Sequence, residues 1–104
     1  MRILEKEEIK SKIHSWVQNH PEINEVRIFG SRAKGTHKPN SDLDIIVTVN
    51  EKDVTTYAAF ERENLQASLQ KHFLYEIDLW VYDKYKDKIL KKAIDDCNIL
   101  IYKK

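Results

Sequence analysis

Residues 42–49 read DLDIIVTV, the most regular stretch in the chain. Strand side chains alternate between two faces. Leu43, Ile45, Val47 and Val49 therefore share one face, and Asp42 and Asp44 share the other. Four aliphatic residues in phase need an apolar layer to cover them. Two carboxylates in phase need water or a cation. The stretch Tyr75–Tyr82 repeats the pattern, with Ile77, Leu79 and Val81 on one side and Asp78 on the other. If both aliphatic faces pack on helices, Asp42, Asp44 and Asp78 emerge together from the opposite, open face of one sheet.

The rest of the chain supplies the covering layer. Ile9, Ile13, Trp16 and Val17 follow helical spacing and predict a helix from about Glu5 to Asn19, ended by Pro21. Glu25–Phe29 reads as a strand, and Gly30-Ser31 breaks it. Arg32–Asn40 holds Gly35 and Pro39 and reads as a turn or short helix followed by a loop. Val54, Ala58, Leu65 and Leu69 predict a second helix over Asp53–Lys71. A third is predicted over Lys84–Asp96, with Ile89, Leu90, Ala93 and Ile94 inward, and Ile99–Tyr102 closes as a short strand. The order α-β-β-α-β-α-β predicts an α/β (α+β) fold, a small mixed sheet with helices packed on one face. Residues 1–104 read as a single domain, because this length leaves little room for a second lobe.

Composition narrows the function. At 41% hydrophobic and 34% charged residues the chain reads as soluble and globular. A net charge of +1 gives no overall basic field, which argues against direct nucleic-acid binding. Cys97 is the lone cysteine, so there is no internal disulfide framework, as suits a reducing cytoplasm. No apolar run approaches the roughly 20 residues needed to span a bilayer, and the opening MRILEKEEIK lacks the apolar core of a signal peptide. A cytoplasmic protein with no membrane contact is expected.

The chemistry concentrates in GSRAKGTHKPNSDLD, where ten residues separate Ser31 from Asp42. A glycine followed by a short polar residue at a strand end lets backbone approach a phosphate. The Ser31 hydroxyl and neighbouring N–H groups can donate to phosphate oxygens, especially if a helical turn starts there. Two aspartates two residues apart on a strand can share hard cations through oxygen. A third carboxylate from a neighbouring strand completes a site for two magnesium ions roughly 3.5–4 Å apart, which clamp the attacking and leaving oxygens of an in-line displacement at phosphorus. A bare DxD is often a solvated strand end. GS and DxD at this interval, in phase with Asp78, are far more specific.

GSRAKGTHKPNSDLDIIV resembles the GS-x10-DxD signature of the polymerase-β-like nucleotidyltransferase superfamily, and the short length resembles its minimal nucleotidyltransferase (MNT) branch. YEIDLWVYD is similar to the strand that carries the third carboxylate, and NILIYKK to the closing strand. The resemblance covers about Val26 to the end. It implies that Gly30 and Ser31 hold the nucleotide phosphates, that Asp42, Asp44 and Asp78 bind two Mg2+ ions and are catalytic, and that Asp78 helps deprotonate an acceptor hydroxyl. It also implies ATP as substrate and a small all-helical HEPN-type toxin as partner in a hetero-oligomer. The chain would then be the antitoxin, adding AMP to a tyrosine of that partner. Two other functions stay open: a binding module that neutralises its partner by contact, and transfer to a small molecule or an RNA end.

Other residues carry weaker signals. Arg32 and Lys34 read equally as triphosphate contacts or as solvated surface. Asp53, Glu61 and Glu63 read as a solvated helix face, and His14, His20, His37 and His72 lack metal-ligand spacing. His37 reads as a surface loop residue. Lys84, Lys86, Lys88, Lys91 and Lys92 form a basic helix face interrupted by Asp87, Asp95 and Asp96. Ile46, Trp80 and Tyr82 fall by alternation on the aspartate face, where they either pack under the active-site loop or await a partner.

Overall fold

A computed structural model describes residues 3–38, 41–83 and 88–104. Helix α1 (Ile3–Val17) forms where the apolar spacing predicts it, and Ile9, Ile13, Trp16 and Val17 are all buried. Strand β1 (Ile23–Phe29) starts two residues before the predicted position, and Gly30 ends it by turning the chain into the short helix α2 (Gly30–Lys34). Strand β2 spans Leu43–Val49. The predicted second helix is a succession: a 3-10 turn (Glu51–Asp53), α3 (Val54–Thr56), a π-helical segment (Tyr57–Glu61) and α4 (Arg62–Gln70). Strand β3 (Ile77–Val81), helix α5 (Lys88–Asp96) and strand β4 (Asn98–Lys103) complete the described chain. The Lys84–Asp87 part of the predicted third helix, and the side chains of Lys88, Ile89, Leu90 and Ile94, lie outside the described residues; Ala93 is half-buried.

The four strands form one mixed sheet in the order β3-β2-β1-β4. β1 runs antiparallel to both β2 and β4, and β2 runs parallel to β3. A parallel pair needs a crossover, and the helical succession from Glu51 to Gln70 provides it. The alternation read in residues 42–49 holds: Leu43, Ile45, Val47 and Val49 join Ile77, Leu79 and Val81 in the core with α1 and with Leu65 and Leu69 of α4. At roughly 25 cal/mol per Å2 of apolar area, this shared face is the main stabilising contribution of the fold.

The outer edge of β3 is closed by a polar stripe of α4. Arg62, Gln66 and Gln70 are spaced four apart and so lie on one helix face. Gln70 accepts from the Ile77 N–H at 2.8 Å and donates to the Tyr75 carbonyl at 2.8 Å. Gln66 accepts from the Leu79 N–H at 3.1 Å, and Arg62 Nε donates to the Leu79 carbonyl at 2.7 Å. Side chains thus satisfy backbone groups that an edge strand would otherwise offer to another chain.

Candidate active site

Strand register builds the site. Asp44 of β2 sits directly beside Asp78 of β3, and the same row continues through Phe29 to Asn98. Both carboxylates lie on the face opposite the core, as their phase requires. Asp42 was expected on the strand with them. It instead precedes β2 by one residue and is exposed, so strand alternation does not set its direction. It remains close enough for its charge to act on Asp44. Burial, then Asp78, then Asp42 push the Asp44 carboxyl above the ordinary carboxylate value, and Arg32 opposes them.

Gly30 is fixed by two constraints at once. Its φ is +73°, in the left-handed region that favours glycine, and a Cβ there would collide with the Asp44 carboxylate. The glycine therefore lets the β1–α2 turn approach Asp44 closely. A helical turn does start at Gly30, with Ser31 half-buried in its first turn. α2 ends at Gly35, φ +77°, whose N–H donates to the Arg32 carbonyl at 3.3 Å.

Arg32 is not the solvated or phosphate-facing cation that the sequence left open. It is 3% exposed. Its guanidinium donates to the Ser41 carbonyl through Nε at 3.2 Å and Nη2 at 2.8 Å, pairs with Glu5 of α1 through Nη1, and stacks on the Tyr75 ring at 4.2 Å. All these contacts clamp the loop immediately before Asp42. His37 is likewise no free loop residue: its Nε2 lies 3.3 Å from Glu5 Oε2 and its side chain is 17% exposed. Lys34 is exposed.

Sequence reasoning missed Arg62. Its Nη2 is 3.4 Å from Asp78 Oδ1, and its guanidinium lies over the Trp80 ring at 4.1 Å. The signal lay in the polar residues at 62, 66 and 70 beside the apolar 65 and 69. Ile46, predicted to share the aspartate face, is fully buried between Arg27 and Trp80 in register, without belonging to the main core. Trp80 is 37% exposed and Tyr82 half-buried.

Among the described residues no three acidic, histidine or cysteine side chains converge closely enough to enclose a metal ion. The donor set still fits magnesium. Mg2+ is usually held by one or two carboxylates together with substrate phosphates, not by an all-protein cage. Asp44 and Asp78 offer adjacent hard oxygen donors, and the mutual repulsion that raises Asp44 is what a divalent cation would relieve.

Comparison with known proteins identifies the family and the fold. Residues 11–104 match the family model described as Polymerase beta, Nucleotidyltransferase. A Methanocaldococcus jannaschii protein, provisionally named protein adenylyltransferase MJ0435, is 32% identical over 92 residues, covering 85% of this chain and 94% of its own. Among solved structures, a chain of a toxin–antitoxin complex with AMP-PNP superposes with TM-score 0.74 at 22% identity, over 91% of this chain and 73% of that one. A chain from the complex of tri-AMPylated Shewanella oneidensis HEPN toxin with MNT antitoxin gives 0.69 at 18% identity, over 95% and 73%. At these identities the structural likeness shows the fold.

Proposed function

The chain belongs to the polymerase β nucleotidyltransferase family, and from that membership we propose that it is a protein adenylyltransferase, moving AMP from MgATP to a tyrosine hydroxyl of a small helical HEPN-type partner. The observation that carries the reading is the pairing of Asp44 with Asp78 in one register row, with the Gly30 turn packed against Asp44. Magnesium held there would polarise the α-phosphate and stabilise the leaving pyrophosphate. Gly30 and Ser31 would cradle the β- and γ-phosphates, and Asp42, Asp44 and Asp78 would hold the cations. The acceptor oxygen attacks the α-phosphorus as the bond to the bridging oxygen breaks. Pyrophosphate leaves, and the hydroxyl proton passes to Asp78.

The neighbours support the choice of partner. One is a toxin–antitoxin complex with AMP-PNP, and another holds an AMPylated HEPN toxin with its MNT antitoxin. In this reading the chain is the antitoxin of a hetero-oligomer in the cytoplasm, where the free thiol of Cys97 stays reduced. The described part of the chain has no helix long and apolar enough to cross a membrane.

The test incubates the chain with labelled ATP, magnesium and the product of the adjacent open reading frame, and reads the partner's intact mass. A mass gain of one or more AMP units, absent with Asp44→Asn, supports the reading. A neutralised toxin of unchanged mass would replace it with neutralisation by contact.

A further inference from the structure

Arg62 is held from two sides that do not involve the carboxylates. Its Nε donates to the Leu79 carbonyl at 2.7 Å, and its guanidinium plane lies over the Trp80 ring at 4.1 Å. Those two residues directly follow Asp78 on β3, so the same anchors that fix the guanidinium also fix the strand carrying the carboxylate. The remaining contact, Nη2 to Asp78 Oδ1 at 3.4 Å, is directed from this fixed platform onto Asp78. The Arg62 side chain is 32% exposed and that of Asp78 38%, so both face the open side of the sheet.

The local sequence supports such a placement. Arg62 is the first residue of α4 and the first rung of the Arg62–Gln66–Gln70 stripe along β3. It directly follows the π-helical segment Tyr57–Glu61. A π turn takes in one residue more than an α turn, and so rotates everything beyond it around the helix axis. That rotation sets which residue of the helix meets the end of the stripe. A lysine there could not reproduce the arrangement. Only the planar guanidinium stacks on an indole while donating from its edge in two directions.

We propose that Arg62, seated on Trp80 and the Leu79 carbonyl, is a positioning residue that holds the Asp78 carboxylate beside Asp44. This rests on the reading of Asp44 and Asp78 as the cation and nucleotide site. Arg62 adds a counter-charge to a face where three aspartates repel one another, and restrains the one of them that receives the acceptor proton. A carboxylate free to rotate would still bind a cation, but would present the wrong oxygen to the acceptor. Losing a group that orients a metal-binding side chain typically costs roughly 10–100-fold in affinity or activity.

The experiment compares the full-length wild-type chain with Arg62→Gln and Arg62→Lys, using Mn2+ with a non-hydrolysable ATP analogue as the binding probe and AMP transfer to the partner as the second readout. Binding is read by the paramagnetic resonance of free Mn2+. With Arg62→Gln, Mn2+ binding is expected to stay equal or tighten, because a cation beside Asp78 is gone. KM for ATP is expected to stay unchanged, and kcat to fall about tenfold. Arg62→Lys restores the charge without the stack and is expected to recover only part of the turnover. Trp80→Ala removes the platform and keeps the guanidinium; at saturating partner it is expected to show the same fall in kcat with KM for ATP unchanged, and serves if Arg62→Gln does not fold. A raised KM with unchanged kcat would make Arg62 a nucleotide ligand and overturn the proposal, as would wild-type kcat in all three variants. If wild type and Asp44→Asn bind the Mn2+ nucleotide equally poorly, the cation site itself is wrong, and the proposal falls with it. That outcome is distinct from a failure of Arg62 alone.

Discussion

At the residue scale, the carboxylates differ in ways their spacing does not reveal. Asp44 is partly buried beside Asp78, and both burial and repulsion raise its pKa, whereas Asp42 is exposed at the strand entrance. A carboxyl whose folded pKa is raised opposes folding when ionised. Its contribution is fully favourable below the ordinary value of 3.8 and is lost as pH rises through the raised folded value. Asp44→Asn is therefore expected to melt higher than wild type at neutral pH without metal, and the gap should close on acidification below that ordinary value. Thermal melts across pH check this; equal melting temperatures at pH 7 would contradict it. The same substitution, like Asp42→Asn, is expected to reduce transfer by about three orders of magnitude, the several kcal/mol carried by metal-bound charge in the transition state. A stabilised but inactive Asp44 variant would separate chemistry from folding. The phase of Asp44 and Asp78 was legible because alternation is a strict rule of strands. The individual environments were not, since burial depends on what the rest of the chain folds over each residue.

At the element scale, Ser41 at the entrance to β2 is held by Arg32, which the sequence could not distinguish from an exposed cation. Position 32 sits inside a polar, glycine-containing stretch, and nothing local indicates that α1 will arrive with Glu5, or that Tyr75 will supply a ring. These are long-range contacts, invisible to periodicity. Arg32→Ala would leave Glu5 with His37 alone and the Ser41 carbonyl without its two donors. Because Glu5 is still 23% exposed, the loss falls below that of a fully buried ion pair, about 2 kcal/mol. Urea unfolding should register that loss, together with weaker MgATP binding as the entrance to Asp42 loosens. Arg32→Lys keeps the charge but cannot donate twice to one carbonyl while pairing with Glu5, so it should rescue little. The helix over residues 53–71 is a similar case. Its apolar positions announced a helix, while the π-helical segment just before the Arg62–Gln66–Gln70 stripe along β3 leaves no mark in that spacing.

At the scale of the whole molecule, the fold has one thoroughly covered face and one that carries the proposed site. The covered face is what the aliphatic phase of β2 and β3 foretold. On the other, repulsion among aspartates makes the metal-free chain less stable than its core alone would allow. If magnesium with ATP binds the folded chain as proposed, then at about 100 times its Kd it should add about 2.7 kcal/mol. For a domain of this size, that is a rise in melting temperature on the order of 10 °C. A melting curve indifferent to MgATP at millimolar concentration would remove the nucleotide site.

The same open face bears on the partner. The register row Trp80–Ile46–Arg27–Leu100 runs beside the row that holds Asp78 and Asp44. Ile46, which the sequence left either packed within the chain or awaiting a partner, is already buried, but Trp80 and Leu100 at the two ends are 37% and 42% exposed. Large apolar groups in water cost roughly 25 cal/mol per Å2, and partly exposed aromatic side chains are the usual anchors of an interface. Under the proposed function, a partner delivering a tyrosine to Asp78 would approach across this row. Leu100 lies on β4, in register with Arg27 and at the opposite edge of the sheet from Asp78 on β3, so it isolates docking from chemistry. Leu100→Glu is expected to weaken co-purification with the helical partner while leaving the MgATP melting shift at its wild-type size. Trp80→Ala should weaken co-purification as well, and in addition lower the turnover of whatever complex still forms. Undiminished co-purification of both variants would mean that the partner docks elsewhere, and that its acceptor reaches Asp78 without crossing the Trp80 row.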